Sequence, residues 1–235
     1  MKFQPQPSHK RKICHAFMRR DLVVVIALVF FGFIAFAFLS AFNAAKGHAI
    51  EMNCASNLKQ VGLAFVEWEQ DNGDHFPMQI MTNKLGEPYE DSANAFRYFQ
   101  VVSNELSALG GPKSLICPAD KKRKPANDFN SDFNSENISY FAGLDAKEAN
   151  KTSLLAGDAN LTNGIPSENG LMTITTNQLV GWTNERHRQA GNVALSDGSA
   201  QPYYNQLSPG HSMYDFTIQE AVQRTGLATN RLLMP

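Results

Sequence analysis

From Leu22 to Phe42 the chain carries no charged side chain (LVVVIALVFFGFIAFAFLSAF). A helix of that length rises about 30 Å, the thickness of a bilayer's hydrocarbon core. A soluble core helix would show a polar face, and this stretch has none. Beyond it, Ile50, Cys54, Leu58, Val61, Phe65 and Trp68 recur at steps of four, four, three, four and three. That spacing is one face of an α-helix. Asn53, Asn57, Lys59, Gln60, Glu67 and Glu69 lie between them and suit a wet face. No proline interrupts residues 8–76, and the pattern stops at Asp71-Asn72-Gly73-Asp74, ahead of Pro77. The pattern therefore predicts one helix from about residue 21 to about residue 70, roughly 75 Å long. Its first half is apolar all round and its second half is amphipathic. Gly47 with His48 is its expected weak point.

The remainder reads as mixed α+β. Residues 94–109 have Phe96, Phe99, Val102 and Leu106 at helical spacing. Ser114–Cys117 reads as a short strand stopped by Pro118, and 119–137 as a polar loop. Four further strands are expected at Ile138–Leu144, Ser153–Gly157, Leu171–Thr176 and Asn192–Leu195. Gly, Asn and Asp clusters separate them, which favours antiparallel hairpins over a βαβ order. Ser196-Asp197-Gly198-Ser199 reads as a hairpin turn, because Asp-Gly supplies positive φ angles. Residues 214–226 read as a short amphipathic helix before a tail. The expected organisation is a basic leader (1–20), a transmembrane helix (21–45), its continuation and turn (46–76), and an α+β body (77–235).

Charge fixes the expected topology. Lys2, Lys10, Arg11, Lys12, Arg19 and Arg20 precede the apolar run, and no acid does apart from Asp21 at its edge. Beyond residue 42 lie fifteen basic and twenty-one acidic side chains. Basic flanks stay cytoplasmic, so the N-terminus is expected inside and the body outside. An acidic body does not suggest nucleic-acid binding. A cleaved export signal would have a shorter apolar core, about 7–15 residues. Of three cysteines, Cys54 and Cys117 fall on the outer side, where two readings stand open: one disulfide, or two separate buried thiols. No G-x-S-x-G, H-E-x-x-H, P-loop or G-x-G-x-x-G occurs, so no enzyme is signalled.

Two stretches carry a resemblance. One is Asp21–Pro77, with D-L-V-V-V-I-A-L, then N-C-A-S-N-L-K-Q-V-G-L-A-F, then D-N-G-D-H-F-P. The other runs from His187 to Gly198, with nine residues between the His and an Asp197-Gly198 pair. Cys117-Pro118-Ala119-Asp120 and Gly157-Asp158 are similar to linking elements of the same proteins. The chain resembles the type II secretion pseudopilin-like proteins of the H-x9-DG type, related to type IV pilins and expanded in Planctomycetes and Verrucomicrobia.

The resemblance implies a long helix packed on a small antiparallel sheet, anchored in a bacterial inner membrane with a periplasmic body. Implied partners are the lipid bilayer, other pilin-like subunits and the secretion machinery. It also implies a prepilin processing site with N-terminal methylation: Ala16 before the cut, Phe17 as the new N-terminus, and Asp21 where the family has its Glu. Arg19 and Arg20 depart from that pattern, since apolar residues are expected there. Some related pseudopilins bind calcium in this half of the chain, and the oxygen ligands Asp158, Asn160 and Asp197 would suit Ca²⁺. His187 would not suit a hard cation. The alternative is that Asp158 and Asp197 are turn residues and His187 bonds to a loop. No other cofactor is implied. The expected function is a structural subunit of a secretion or pilus-like assembly. The alternative is a permanently anchored binding module for a glycan, a metal or an envelope protein.

Overall fold

The computed structural model describes residues 9–81, 89–167, 169–205 and 216–235, without the side chains of 9–20, 40, 41, 43, 44 and 92. The chain divides into two compact units between Ala49 and Ile50. Helix α1 (His9–Asp71) begins earlier than the hydrophobic pattern predicts and stays helical through Gly47 and His48. Within the first unit, Asp21–Leu39 is long and apolar enough to cross a membrane. Its large side chains, among them Leu22, Phe30, Phe33 and Phe36, are exposed.

The second unit is α+β. After α1 come α2 (Pro77–Ile80), α3 (Phe96–Val101) and α4 (Ser103–Leu109). The helix expected over 94–109 is thus split at Val102, whose φ −93° and ψ 25° leave the helical region. The β-branched pair Val101-Val102 is stiff at that point. The strand expected at Ser114–Cys117 is replaced by a 3₁₀ turn, Gly111–Leu115. Pro112 opens that turn, Gly111 adopts φ 66°, and the Ser114 hydroxyl donates to the Gly111 carbonyl. Only from Ile116 does the chain extend.

Nine strands follow among the described residues: β1 (Tyr140–Gly143), β2 (Leu154–Asp158), β3 (Leu161–Thr162), β4 (Ile165–Pro166), β5 (Leu171–Thr175), β6 (Gly181–Trp182), β7 (Ala190–Leu195), β8 (Ala200–Tyr204) and β9 (Thr229–Leu233). Seven form one antiparallel sheet in the order β4-β5-β9-β1-β2-β7-β8, and β3 pairs with β6. The C-terminal segment, read from sequence as a tail, is β9 in the middle of that sheet. Helix α5 (Ile218–Arg224) starts at a capping box, Thr217 with Glu220.

The central strands β1, β2 and β7 are buried on both faces. Tyr140, Ala142, Ala156 and Ala194 face a first core with Cys54, Leu58, Val61 and Phe65 of α1 and Phe99 of α3. Phe141, Leu154, Val193 and Leu195 face a second core with Ile218 and Val222 of α5. That is the period-two alternation of a strand. A register shift between Leu154 and Ala156 lets Leu155 and Ala156 both join the first core. Trp182 is buried in the second core, and Trp68 is packed against the first.

Candidate functional site

The site lies where α1 crosses the end of β2. Cys54 is on the buried face of α1, one turn before Leu58. Asp158 pairs with Tyr140 across β1 and β2 and so points to the same face as Tyr140 and Ala156. Cys117 follows the 3₁₀ turn, and a bond from the Asp120 amide to its carbonyl (2.8 Å) closes the Cys117–Asp120 bend. His187 precedes β7 on a loop where Arg188 (φ 52°) and Gln189 (φ 66°) are both left-handed, an uncommon conformation outside glycine.

These four residues converge. Cys117 Sγ lies 3.0 Å from His187 Nε2. Cys54 Sγ lies 3.4 Å from Asp158 Oδ1, and His187 Nε2 lies 3.6 Å from Asp158 Oδ2. One ligand atom from each of the four falls within 4.8 Å of every other. Asn192 fixes the carboxylate by donating to Oδ2 from its backbone N (2.8 Å) and its Nδ2 (3.0 Å). The Tyr140 hydroxyl lies 3.6 Å from Cys54 Sγ.

Arg186 joins this cluster to a second carboxylate. Its Nη2 lies 2.7 Å from Asp120 Oδ2, its Nη1 donates to the Ser139 carbonyl at 2.5 Å, and Nη1 lies 3.7 Å from Asp158 Oδ1. The Ser139 hydroxyl and Arg123 also donate to Asp120 Oδ2. Burial would raise the Asp120 pKa, but Arg186, the Lys122 amide, Ser139 and Arg123 outweigh it and hold it below the ordinary 3.8.

The thiols are not equivalent. Burial, followed by the Cys117 hydrogen bond and the Asp158 charge, pushes the Cys54 thiol well above its usual range. The hydrogen bond from Cys54 lowers Cys117 to about 7, against its burial and with help from His187. Burial pulls His187 down, yet its bond to Cys117 and the Asp158 charge raise it overall. The cluster is therefore two sulfurs, one imidazole and one carboxylate, all buried. This is the donor chemistry of a soft or borderline cation, not of a hard one.

The structure brings together only part of the sequence-derived set. Asp158 and His187 meet, and Cys54 and Cys117 join them as free thiols. Asn160 instead clamps the β6–β7 loop, donating to the carbonyls of Thr183 and Ala190 at 3.3 Å. Asp197 and Gly198 sit at the β7–β8 turn, beside the opposite end of β2, where Leu154 pairs with Leu195. Four residues of strand, about 13 Å, separate that end from Asp158. Oxygens sharing one Ca²⁺ need to lie within about 5 Å. Asp197 accepts a bond from the Ser199 amide, as a turn residue does. Asp21 is exposed, and the side chains of Ala16 and Phe17 lie outside the described residues.

Asp120 and Arg186 carry weight that the sequence reading missed. The available signal was proximity: Asp120 follows Cys117 by three residues and Arg186 adjoins His187. The run Lys121–Lys124 is partly engaged, with Lys122 on Glu185 (3.1 Å) and Arg123 on Asp120 and the Pro235 carbonyl. Compared with protein-family models, curated proteins and solved structures, the chain matches none.

Proposed function

We propose that the chain is a membrane-anchored, pseudopilin-like structural subunit of a type II secretion or pilus-like assembly. One observation carries the reading: a single helix is apolar and exposed over Asp21–Leu39 and amphipathic over Ile50–Asp71, where it packs on an antiparallel sheet. The exposed half would lie in lipid or among the same halves of neighbouring subunits. The basic residues before it support an N-terminus in the cytoplasm and a body in the periplasm. The four side chains of the His187 cluster are buried, which supports a structural part for them in such a subunit.

The test is photo-cross-linking in intact membranes from positions Phe30 and Phe36 of the full chain. A ladder of adducts between copies of the chain is expected. Adducts to lipid alone, with a monomeric chain, would overturn the subunit reading and favour a fixed anchor bearing a binding domain.

A further inference from the structure

We propose that Cys54, Cys117, Asp158 and His187 form a closed structural Zn²⁺ site that pins helix α1 to the sheet. The inference stands on the geometry of the body and does not need the secretion reading.

The distances are close to those a tetrahedral ion imposes. With Zn–S near 2.3 Å and Zn–N or Zn–O near 2.0–2.1 Å, the edges of the tetrahedron are about 3.3–3.8 Å. Two separations fall in that range, 3.4 Å for Cys54 Sγ to Asp158 Oδ1 and 3.6 Å for His187 Nε2 to Asp158 Oδ2, while Cys117 Sγ to His187 Nε2, at 3.0 Å, is shorter and would open by about half an ångström around an ion. Each ligand comes from a different part of the chain: α1, the bend after the 3₁₀ turn, the end of β2, and the loop before β7. Chance clusters of exposed acids do not look like this, since all four side chains here are buried.

The surroundings fit a divalent ion. Zn²⁺ with two thiolates is neutral, and the Arg186 guanidinium faces the remaining Asp158 charge. Asn192 orients the carboxylate through Oδ2 and leaves Oδ1 toward Cys54, the outer-shell support that metal ligands commonly have. Binding releases the protons of both thiols to solvent, and His187 binds as the neutral imidazole through Nε2. Four protein ligands leave no open position, so the ion is structural. The linkage spans 104 residues between Cys54 and Asp158 and 70 between Cys117 and His187.

The test uses the full chain, purified in detergent under reducing conditions and without chelator. Elemental mass spectrometry is expected to find about one zinc per chain. Exchange to Co²⁺ is expected to give the intense visible bands and thiolate charge transfer of tetrahedral cobalt. Cys54→Ser and His187→Gln are expected to lose those bands, while Asp197→Ala keeps them. A second reading needs no variant: in a preparation made without reductant, unfolding the wild-type chain with chelator should expose both Cys54 and Cys117 as free thiols, with Cys14 as a third only where the first sixteen residues remain. Loss of the Cys54 and Cys117 thiols, with a mass lower by two hydrogens, shows a Cys54–Cys117 disulfide and overturns the proposal. Free Cys54 and Cys117 thiols with no metal retained after incubation with Zn²⁺ also overturn it.

Discussion

Lys59 Nζ donates to the Gly198 carbonyl at 2.8 Å, so the helix and the β7–β8 turn, far apart in sequence, hold one another. The bond joins the two motifs that carry the family resemblance. Asn57 Nδ2 caps the Ile116 carbonyl at 3.0 Å, and Gly62 lies flat on the sheet. In N-L-K-Q-V-G, then, Asn57, Lys59 and Gly62 each address a different piece of the body.

Gly62 sets how close α1 comes. A Cβ there would stand 3.3 Å from both the Ala194 Cβ and the Gly198 carbonyl oxygen. Gly62→Ala should be near neutral, because a helix-propensity gain of up to about 1 kcal/mol offsets the squeeze. Gly62→Leu overpacks the contact and should cost about 1–3 kcal/mol. Thermal midpoints of the two variants check the contrast; equal midpoints would show that the helix can lift off the sheet.

Asp120 links stability to acid. Its folded pKa lies below 3.8, so the stability it contributes is present above pH 3.8 and is lost as pH falls through the lower folded value. Asp120→Asn leaves the buried Arg186 short of a partner and should cost about 2–4 kcal/mol at neutral pH. The gap between wild type and variant should narrow below about pH 4. Denaturation midpoints across that range check it, and a gap constant with pH would refute the role given to the carboxylate.

Metal supply should be visible in stability. An ion that binds only the folded body stabilises it by about 2.7 kcal/mol at a hundredfold excess over its dissociation constant. Chelator should lower the thermal midpoint of the wild type and leave that of Cys117→Ser unmoved. Calcium should not substitute, since two of the four donors are sulfur.

The exposed apolar half of α1 makes its own prediction. Phe33 is 72% exposed, so replacing it removes no packing in the isolated chain. A charge at the centre of a spanning helix costs about 2.5–3.5 kcal/mol. Phe33→Asp should therefore leave the folding of the body intact and reduce membrane integration, read by carbonate extraction.

Much of the architecture was legible because it follows from period. Ile50, Cys54, Leu58, Val61 and Phe65 announced α1, and Gly198 in its Asp-Gly turn announced the β7–β8 hairpin. Ser114–Cys117 misled because a short apolar run does not distinguish strand from turn, and Gly111 with Pro112 decided it. Strand β9 was hidden because Thr229–Leu233 lacks clean alternation, and its place between β1 and β5 is a long-range outcome. Asp158, His187, Cys54 and Cys117 were each visible as chemistry, but only the fold brings them to one point. Asp197 and Asp158 share oxygen-ligand chemistry in the sequence, and strand direction separates them in space.

The intact mass and N-terminus of the chain purified from membranes test the central claim most directly. A pseudopilin-like subunit predicts a new N-terminus at Phe17, with Asp21 four residues on and the basic leader gone. A chain that still begins at Met1 would contradict that account and describe a permanent anchor.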